Sequence, residues 1–110
     1  MKTEDIIEYA LTFAKATSSP HFHKTSIRVK KKIFATLDEK ACTLVVKLRE
    51  VDQSVFSDMG GDHIYPVPGG WGNKGWTIIE YEHLGKEIIK DAIKVSYCNV
   101  APSSLSKKYV

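Results

Sequence analysis

The pattern of apolar and polar positions divides the chain into helical and strand-like stretches, and a helical stretch comes first. Apolar residues recur at helical spacing between Ile6 and Ala14. Thr3 suits the N-cap position, and the two acidic residues after it place negative charge where the helix dipole favours it. Residues 17–20 have the composition of a turn, so the pattern predicts that this helix ends near Ala16.

Three strand-like stretches follow, in which apolar residues alternate with polar ones. They read TSIRVK, KIFATL and CTLVVKL, and they span residues 25–30, 32–37 and 42–48. Period-two alternation with β-branched residues and short connections is typical of antiparallel strands with one buried face. We therefore expect an antiparallel meander with Ile27 and Val29 on its buried face.

The second half of the chain predicts a short helix, two strands and a final helix. These are a helix at 52–59, strands at 63–67 and 76–81, and a helix at 82–97, followed by a loose polar tail at 103–110. The order α-β-β-β-α-β-β-α predicts a two-layer α+β fold, with one antiparallel five-stranded sheet covered by helices on one face. A length of 110 residues is that of a single domain.

Composition is that of an ordinary globular protein. Hydrophobic residues make up 43% of the chain and charged residues 26%. No run of about 18 apolar residues exists, so we expect neither a transmembrane helix nor a membrane partner. The N-terminal segment is acidic and amphipathic, unlike a signal peptide, and Cys42 and Cys98 lie far apart without CxxC spacing. These features indicate a reduced, cytoplasmic protein.

Charge is unevenly distributed along the chain, although the net charge is only +3. Residues 20–37 carry five basic residues and no acidic one, whereas residues 38–62 carry six acidic residues against three basic ones, a charge of −3. This polarity permits a polyanionic partner but does not require one.

Basic residues with neighbouring aromatic rings are the candidate nucleic-acid contacts. Strand alternation places Arg28, Lys30 and Lys47 on the outward face together with Phe34, and the turn between two strands adds more lysines. Cations on such a face can follow phosphates while rings stack on bases. The alternative is a solubilising face whose lysines resist aggregation. The candidate residues are Arg28, Lys30, Lys31, Lys32, Phe34, Lys47, Trp71 and Lys74.

A glycine-rich segment, VPGGWGNKGWTIIEY, occupies residues 67–81. Neither GxxxxGK[ST] nor GxGxxG occurs in it, so it is not a phosphate-binding loop of a familiar kind. Its glycines predict the turn of a hairpin between the fourth and fifth strands, with Trp76 as an anchor in the core. Trp71 is either tucked under the sheet edge or offered to a ligand beside Lys74.

Catalytic and metal-binding patterns are weak. The chain has no GxSxG motif, and neither cysteine has a local partner of the kind that activates a nucleophile. His21 and His23 form an HxH pair, but no nearby ligand completes a metal site, and His63 and His83 are isolated in sequence. We therefore predict no catalytic residue, no metal site and no cofactor.

Short motifs along nearly the whole chain resemble those of the MmcQ/YjbR family. They are KIFA at 32–35, VKL at 46–48, GNKGWT at 72–77, SY at 96–97 and VAP at 100–102. The resemblance implies a small domain with a frataxin-like (CyaY-like) or secretion-chaperone-like sheet, and a family commonly described as DNA-binding on the grounds of fold. It brings no established catalytic residues. One departure is Lys31, where relatives often have glycine.

Two functions follow from these observations. The first is non-catalytic binding of DNA or single-stranded nucleic acid through the basic sheet face and turn. The alternative is a protein- or peptide-binding adaptor that uses the sheet face or an edge strand. In either case we expect a monomer or a weak dimer.

Overall fold

Six strands form one antiparallel sheet in the order β1-β2-β3-β4-β6-β5. The computed structural model describes all residues from 1 to 110. The strands are β1 (Ala16–His21), β2 (Lys24–Val29), β3 (Lys32–Asp38), β4 (Thr43–Lys47), β5 (Ile64–Pro66) and β6 (Trp76–Ile79). The helices are α1 (Thr3–Ala10), α2 (Glu50–Gly60), α3 (Gly70–Asn73), α4 (Lys86–Val100) and α5 (Ser103–Ser106). The predicted α+β class is therefore confirmed, with six strands instead of five.

The additional strand is β1, which the sequence predicted to be helix end and turn. Helix α1 ends at Ala10, and β1 pairs along its whole length with β2, from Ala16 opposite Val29 to His21 opposite Lys24. Its sequence, ATSSPH, has no apolar alternation. This suits an edge strand whose side chains are exposed or half-buried. Pro20 fits this position, since proline in a sheet is confined largely to edge strands.

Helices cover one face of the sheet and enclose the core. Helix α4 packs against β3 and β4, α1 packs against α4, and α2 lies beside β5. The large, fully buried side chains of α4 are Ile89, Ile93 and Tyr97, and they belong to one hydrophobic core with strand residues such as Leu37 and Leu44. No helix is long and apolar enough to cross a membrane.

A β-bulge interrupts the pairing of β2 with β3 and changes the direction of Phe34. Ile27 pairs with Ala35, but Arg28 pairs with Ile33, so Phe34 is the extra residue on β3. Phe34 is 0% exposed, and its ring contacts the Tyr97 ring edge-on at 5.3 Å between centroids. The prediction of an outward-facing Phe34 is wrong because the bulge breaks the alternation on which it depended.

The hydroxyl of Ser96 fastens α4 to the sheet at this bulge. It donates to the Phe34 carbonyl at 2.6 Å and accepts from the Lys47 N–H at 2.9 Å. One turn further on, the Asn99 side-chain amide donates to the Lys47 carbonyl at 3.2 Å. The last turns of α4 therefore fix the backbone of β4 at Lys47.

The C-terminal tail is packed and helical, in contrast to the predicted loose tail. Ser106 is buried, and the Tyr109 ring contacts the Phe13 ring at 4.8 Å between centroids. The Tyr109 hydroxyl accepts from the Ala14 N–H at 2.9 Å, and the Tyr97 hydroxyl donates to the Ala14 carbonyl at 2.7 Å. Both tyrosines thus hold the connection between α1 and β1.

We expect Ser96→Ala to lower the free energy of unfolding by about 2–3 kcal/mol, because it removes the hydroxyl partner of two buried backbone groups. Urea denaturation measures the change. Ser104→Ala, on the exposed side of α5, is the matched control and should shift stability by less than about 0.5 kcal/mol. Equal effects of the two substitutions would contradict the role assigned to Ser96.

Candidate nucleic-acid interface

The turn between β2 and β3 presents lysines in an unusual backbone conformation. Lys30 and Lys31 both have positive φ, 51° and 69°, as the two central residues of a tight hairpin between Val29 and Lys32. Turns of this kind favour Asn-Gly, and an ordinary side chain in the left-handed region costs about 1 kcal/mol or more. The turn therefore keeps two adjacent ammonium groups at a cost in stability.

A basic groove lies next to this turn, at the end of the sheet. It has a volume of about 500 Å³. The β2–β3 hairpin, the neighbouring ends of β4 and β6, and the C-terminal end of α4 all contribute to its lining. The lining residues are Arg28, Lys31, Lys32, Ile33, Lys47, Trp76, Asn99 and Val100. Four of the predicted contact residues thus converge here, Arg28, Lys32 and Lys47 from three different strands and Lys31 from the turn.

Sheet register explains why these side chains meet. Arg28 pairs with Ile33, and Lys47 pairs with Trp76, so the two side chains of each pair lie on the same face of the sheet. The Lys47 ammonium lies 5.6 Å from the centroid of the Trp76 ring. Trp76 is half-buried in the groove, so the prediction that it anchors the core is wrong. Thr77 and Ile79 take the buried positions of β6.

A second groove adjoins the basic groove and shares Lys47 and Asn99 with it. Its volume is about 630 Å³, and it is predominantly polar. The other residues that line it are Leu48, Arg49, Glu50, Gln53, Asn73, Lys74 and Gly75. We call the two grooves together the basic surface.

The glycine-rich segment forms one wall of the second groove. It connects the antiparallel strands β5 and β6, as predicted, but it does so through the short helix α3 instead of a simple turn. Gly75 has a φ of 103°, and a β-carbon there would collide with the Leu48 carbonyl oxygen. The Gln53 side chain of α2 donates to the Gly72 carbonyl and to the Thr77 hydroxyl, each at 3.0 Å. These contacts hold Lys74 beside the groove.

Trp71 projects from α3 with 61% of its surface exposed. The Lys74 ammonium lies 5.3 Å from the centroid of its ring. The alternative of a ring tucked under the sheet edge is therefore wrong. An exposed ring beside a cation is a suitable platform for a flat, electron-rich ligand group.

The predicted residues divide into three groups by their place in the structure. Arg28, Lys31, Lys32, Lys47 and Lys74 line the basic surface. Lys30 lies at the tip of the adjacent turn and Trp71 on α3, both exposed, whereas Phe34 belongs to the core.

Sequence reasoning missed several residues that line the basic surface, among them Arg49, Trp76 and Asn99. Arg49 lies two positions after Lys47, and that spacing was an available signal. Its guanidinium pairs with the Asp52 carboxylate at 3.3 Å, so it brings little unpaired charge. The other two depend on sheet register and helix docking, which no local pattern reveals.

The two free cysteines are poorly suited to nucleophilic chemistry. Desolvation by burial raises the pKa of the Cys42 thiol and that of the Cys98 thiol. An activated cysteine requires the opposite shift, toward the thiolate. Both thiols therefore favour the protonated form.

A family model and a solved structure both match this chain, and both support the fold described above. The model of the YjbR family matches residues 11–99, and the chain therefore belongs to the YjbR family. A crystal structure of the Deinococcus radiodurans protein DR2400, with a DUF419 domain, has a TM-score of 0.79 at 14% identity. The match covers 97% of this chain and 86% of that one, and it shows similarity of fold. A search of curated proteins found no match.

We expect Lys30→Asn combined with Lys31→Gly to raise the free energy of unfolding by about 1 kcal/mol, because both residues favour positive φ in such a turn. Urea denaturation measures the gain. Lys15→Gly is the positive control. Lys15 has a φ of 64° and lies outside the basic surface, so its replacement by glycine should raise stability for the same reason. A loss of stability in the double variant would refute strain in the turn.

Proposed function

We propose that this protein binds nucleic acid, single-stranded DNA in the first instance, through the basic surface and without catalysis. The observation that carries the proposal is the convergence of five cations from the β2–β3 hairpin, β4 and the α3 connection on adjoining grooves. Cations that line adjoining grooves can neutralise phosphates of a bound strand and release their counterions. The free cysteines are compatible with a cytoplasmic setting for this activity.

Two aromatic rings favour a single strand over a duplex. Trp76 lies in the basic groove beside Lys47, and Trp71 stands exposed beside Lys74. A base in a duplex has both faces stacked already, whereas an unpaired base can stack on a protein ring. A strand that follows the basic surface would pass Lys47, which belongs to both grooves.

The strained turn supports a functional role for its lysines. Backbone strain in folded proteins concentrates at functional sites, where it persists because the surrounding structure enforces it. Lys30 and Lys31 occupy positions that asparagine or glycine would fill at lower cost. Lys31 lines the basic groove and Lys30 lies beside it at the exposed tip of the turn, so both ammonium groups are accessible to a phosphate.

We expect the protein to bind a fluorescently labelled oligonucleotide with an affinity that falls steeply as salt is added. Anisotropy titrations between about 50 and 200 mM salt measure this affinity. Five phosphate contacts on a single strand predict a log–log slope of about −3.5. Lys31→Glu with Lys32→Glu should weaken binding at least about tenfold, since two cations become anions. Lys30→Asn with Lys31→Gly should also weaken binding, whereas Lys15→Gly should not.

The matched control for charge is Lys40→Glu with Lys86→Glu, which makes the same change at two exposed lysines outside both grooves. It should retain most of the affinity. Absence of binding at low salt would refute the proposed function, as would an equal loss in the control, because only general charge would then matter.

A second candidate function is that of an adaptor for a protein partner, which one feature of α2 favours. Val51, Val55 and Met59 are 73%, 49% and 58% exposed. They recur every fourth residue and so form one apolar stripe along the helix. Such a stripe is suited to a hydrophobic groove of a partner or to a second copy of the chain.

We expect Val55→Asp with Met59→Asp to abolish any self-association of the protein, because it places two charges in the apolar stripe. Analytical ultracentrifugation over a range of concentrations measures the effect. Oligonucleotide binding by the same variant should be unchanged. If the parent protein stays monomeric at every concentration, the apolar stripe does not bind a second copy of the chain.

A further inference from the structure

We propose that His63, Glu80 and His83 form a binding site for a divalent transition-metal ion, with Zn²⁺ as its representative. One ligand atom from each of the three side chains can be chosen so that all lie within 4.8 Å of one another. Two imidazoles and a carboxylate are ligands that Zn²⁺ takes readily. Local sequence pattern does not reveal the cluster, because His63 and Glu80 lie 17 positions apart along the chain.

Strand pairing brings the cluster together on a rigid frame. Ile64 of β5 pairs with Ile79 of β6, so the residue before one strand meets the residue after the other. The Glu80 N–H donates to the His63 carbonyl at 2.9 Å, which extends the ladder by one bond. His83 ends the short 3₁₀ turn that follows β6, and its ring stacks on that of His63 at 4.3 Å between centroids.

The distances suit an ion with small side-chain rotations. The His63 Nδ1 and Glu80 Oε1 atoms lie 2.9 Å apart. Two ligands at about 2.0–2.2 Å from a shared ion lie roughly 3–3.5 Å from each other. The ion would thus replace a hydrogen bond without moving the backbone. The exposed His83 side chain can turn toward the same point from its position on the turn.

Tyr65 supplies the outer support that such sites require. Its hydroxyl donates to Glu80 Oε2 at 2.7 Å, which orients the carboxylate and leaves Oε1 for an ion. Outer-shell hydrogen bonds of this kind hold metal ligands in place. Three protein ligands leave a further coordination position for water or for a group from a partner.

The site is separate from the basic surface, so it stands independently of the proposed function. Glu80 follows the C-terminal end of β6, whereas Trp76 begins that strand. Four residues of strand span roughly 13 Å. None of the three proposed ligands lines either groove of the basic surface.

Isothermal titration of metal-free, untagged protein with Zn²⁺ tests the proposal. We expect saturable binding of about one ion per chain, and a rise in melting temperature when the ion is present. His83→Ala removes an exposed ligand with little risk to the fold, and His63→Ala removes a second. Each should weaken binding at least about tenfold, and Tyr65→Phe should weaken it by about tenfold through the carboxylate.

His21→Ala with His23→Ala is the matched control, because it removes the HxH pair at the other edge of the sheet. It should bind as the parent does. Substitution by Co²⁺ should give a visible absorption band that His83→Ala abolishes. The absence of saturable binding would overturn the proposal and leave a structural hydrogen-bond network. Binding that is lost with the HxH pair instead would overturn it as well.

Discussion

The buried hydroxyl of Ser96 joins the last helix to the sheet where the sheet departs from regular pairing. It binds the Phe34 carbonyl on one strand and the Lys47 N–H on the next. A single side chain thereby satisfies two buried backbone groups that the ladder does not pair with each other. Asn99 adds a bond to the Lys47 carbonyl. The backbone at the centre of the basic surface is thus held from the core side, which leaves the lysine side chain free to face outward.

The bulge at Phe34 determines how the outer face is composed. With one extra residue on β3, Ile33 lies beside Arg28 in the groove, and the Phe34 ring joins the aromatic cluster around Tyr97. The core therefore contains the large ring of Phe34, and the groove is lined at this position by the smaller aliphatic side chain of Ile33. The ring in the basic groove is instead that of Trp76 from β6, and the exposed ring of Trp71 on α3 lies beside Lys74.

The local pattern of apolar and polar residues predicts those helices and strands that bury one regular face. Strands β2, β3 and β4 and helix α4 were predictable, because each alternates or repeats against the core. Edge strand β1 was not, since ATSSPH has no apolar alternation and is specified by its pairing with β2. In the candidate site, the turn lysines followed from local sequence. Trp76 and the His63–Glu80–His83 cluster depend on strand register, which is a long-range property.

Helix α4 supplies a large share of the core and also holds the connection between α1 and β1 through the Tyr97 hydroxyl. Tyr109, from the end of the chain, binds the same connection at Ala14. The inner face of β3 and β4 therefore stays uncovered until α4 docks on it. The meander can form as a hydrogen-bonded ladder of local contacts, but the core over its central strands closes only through contacts of long sequence separation. Closure of such contacts is the slower kind of folding step.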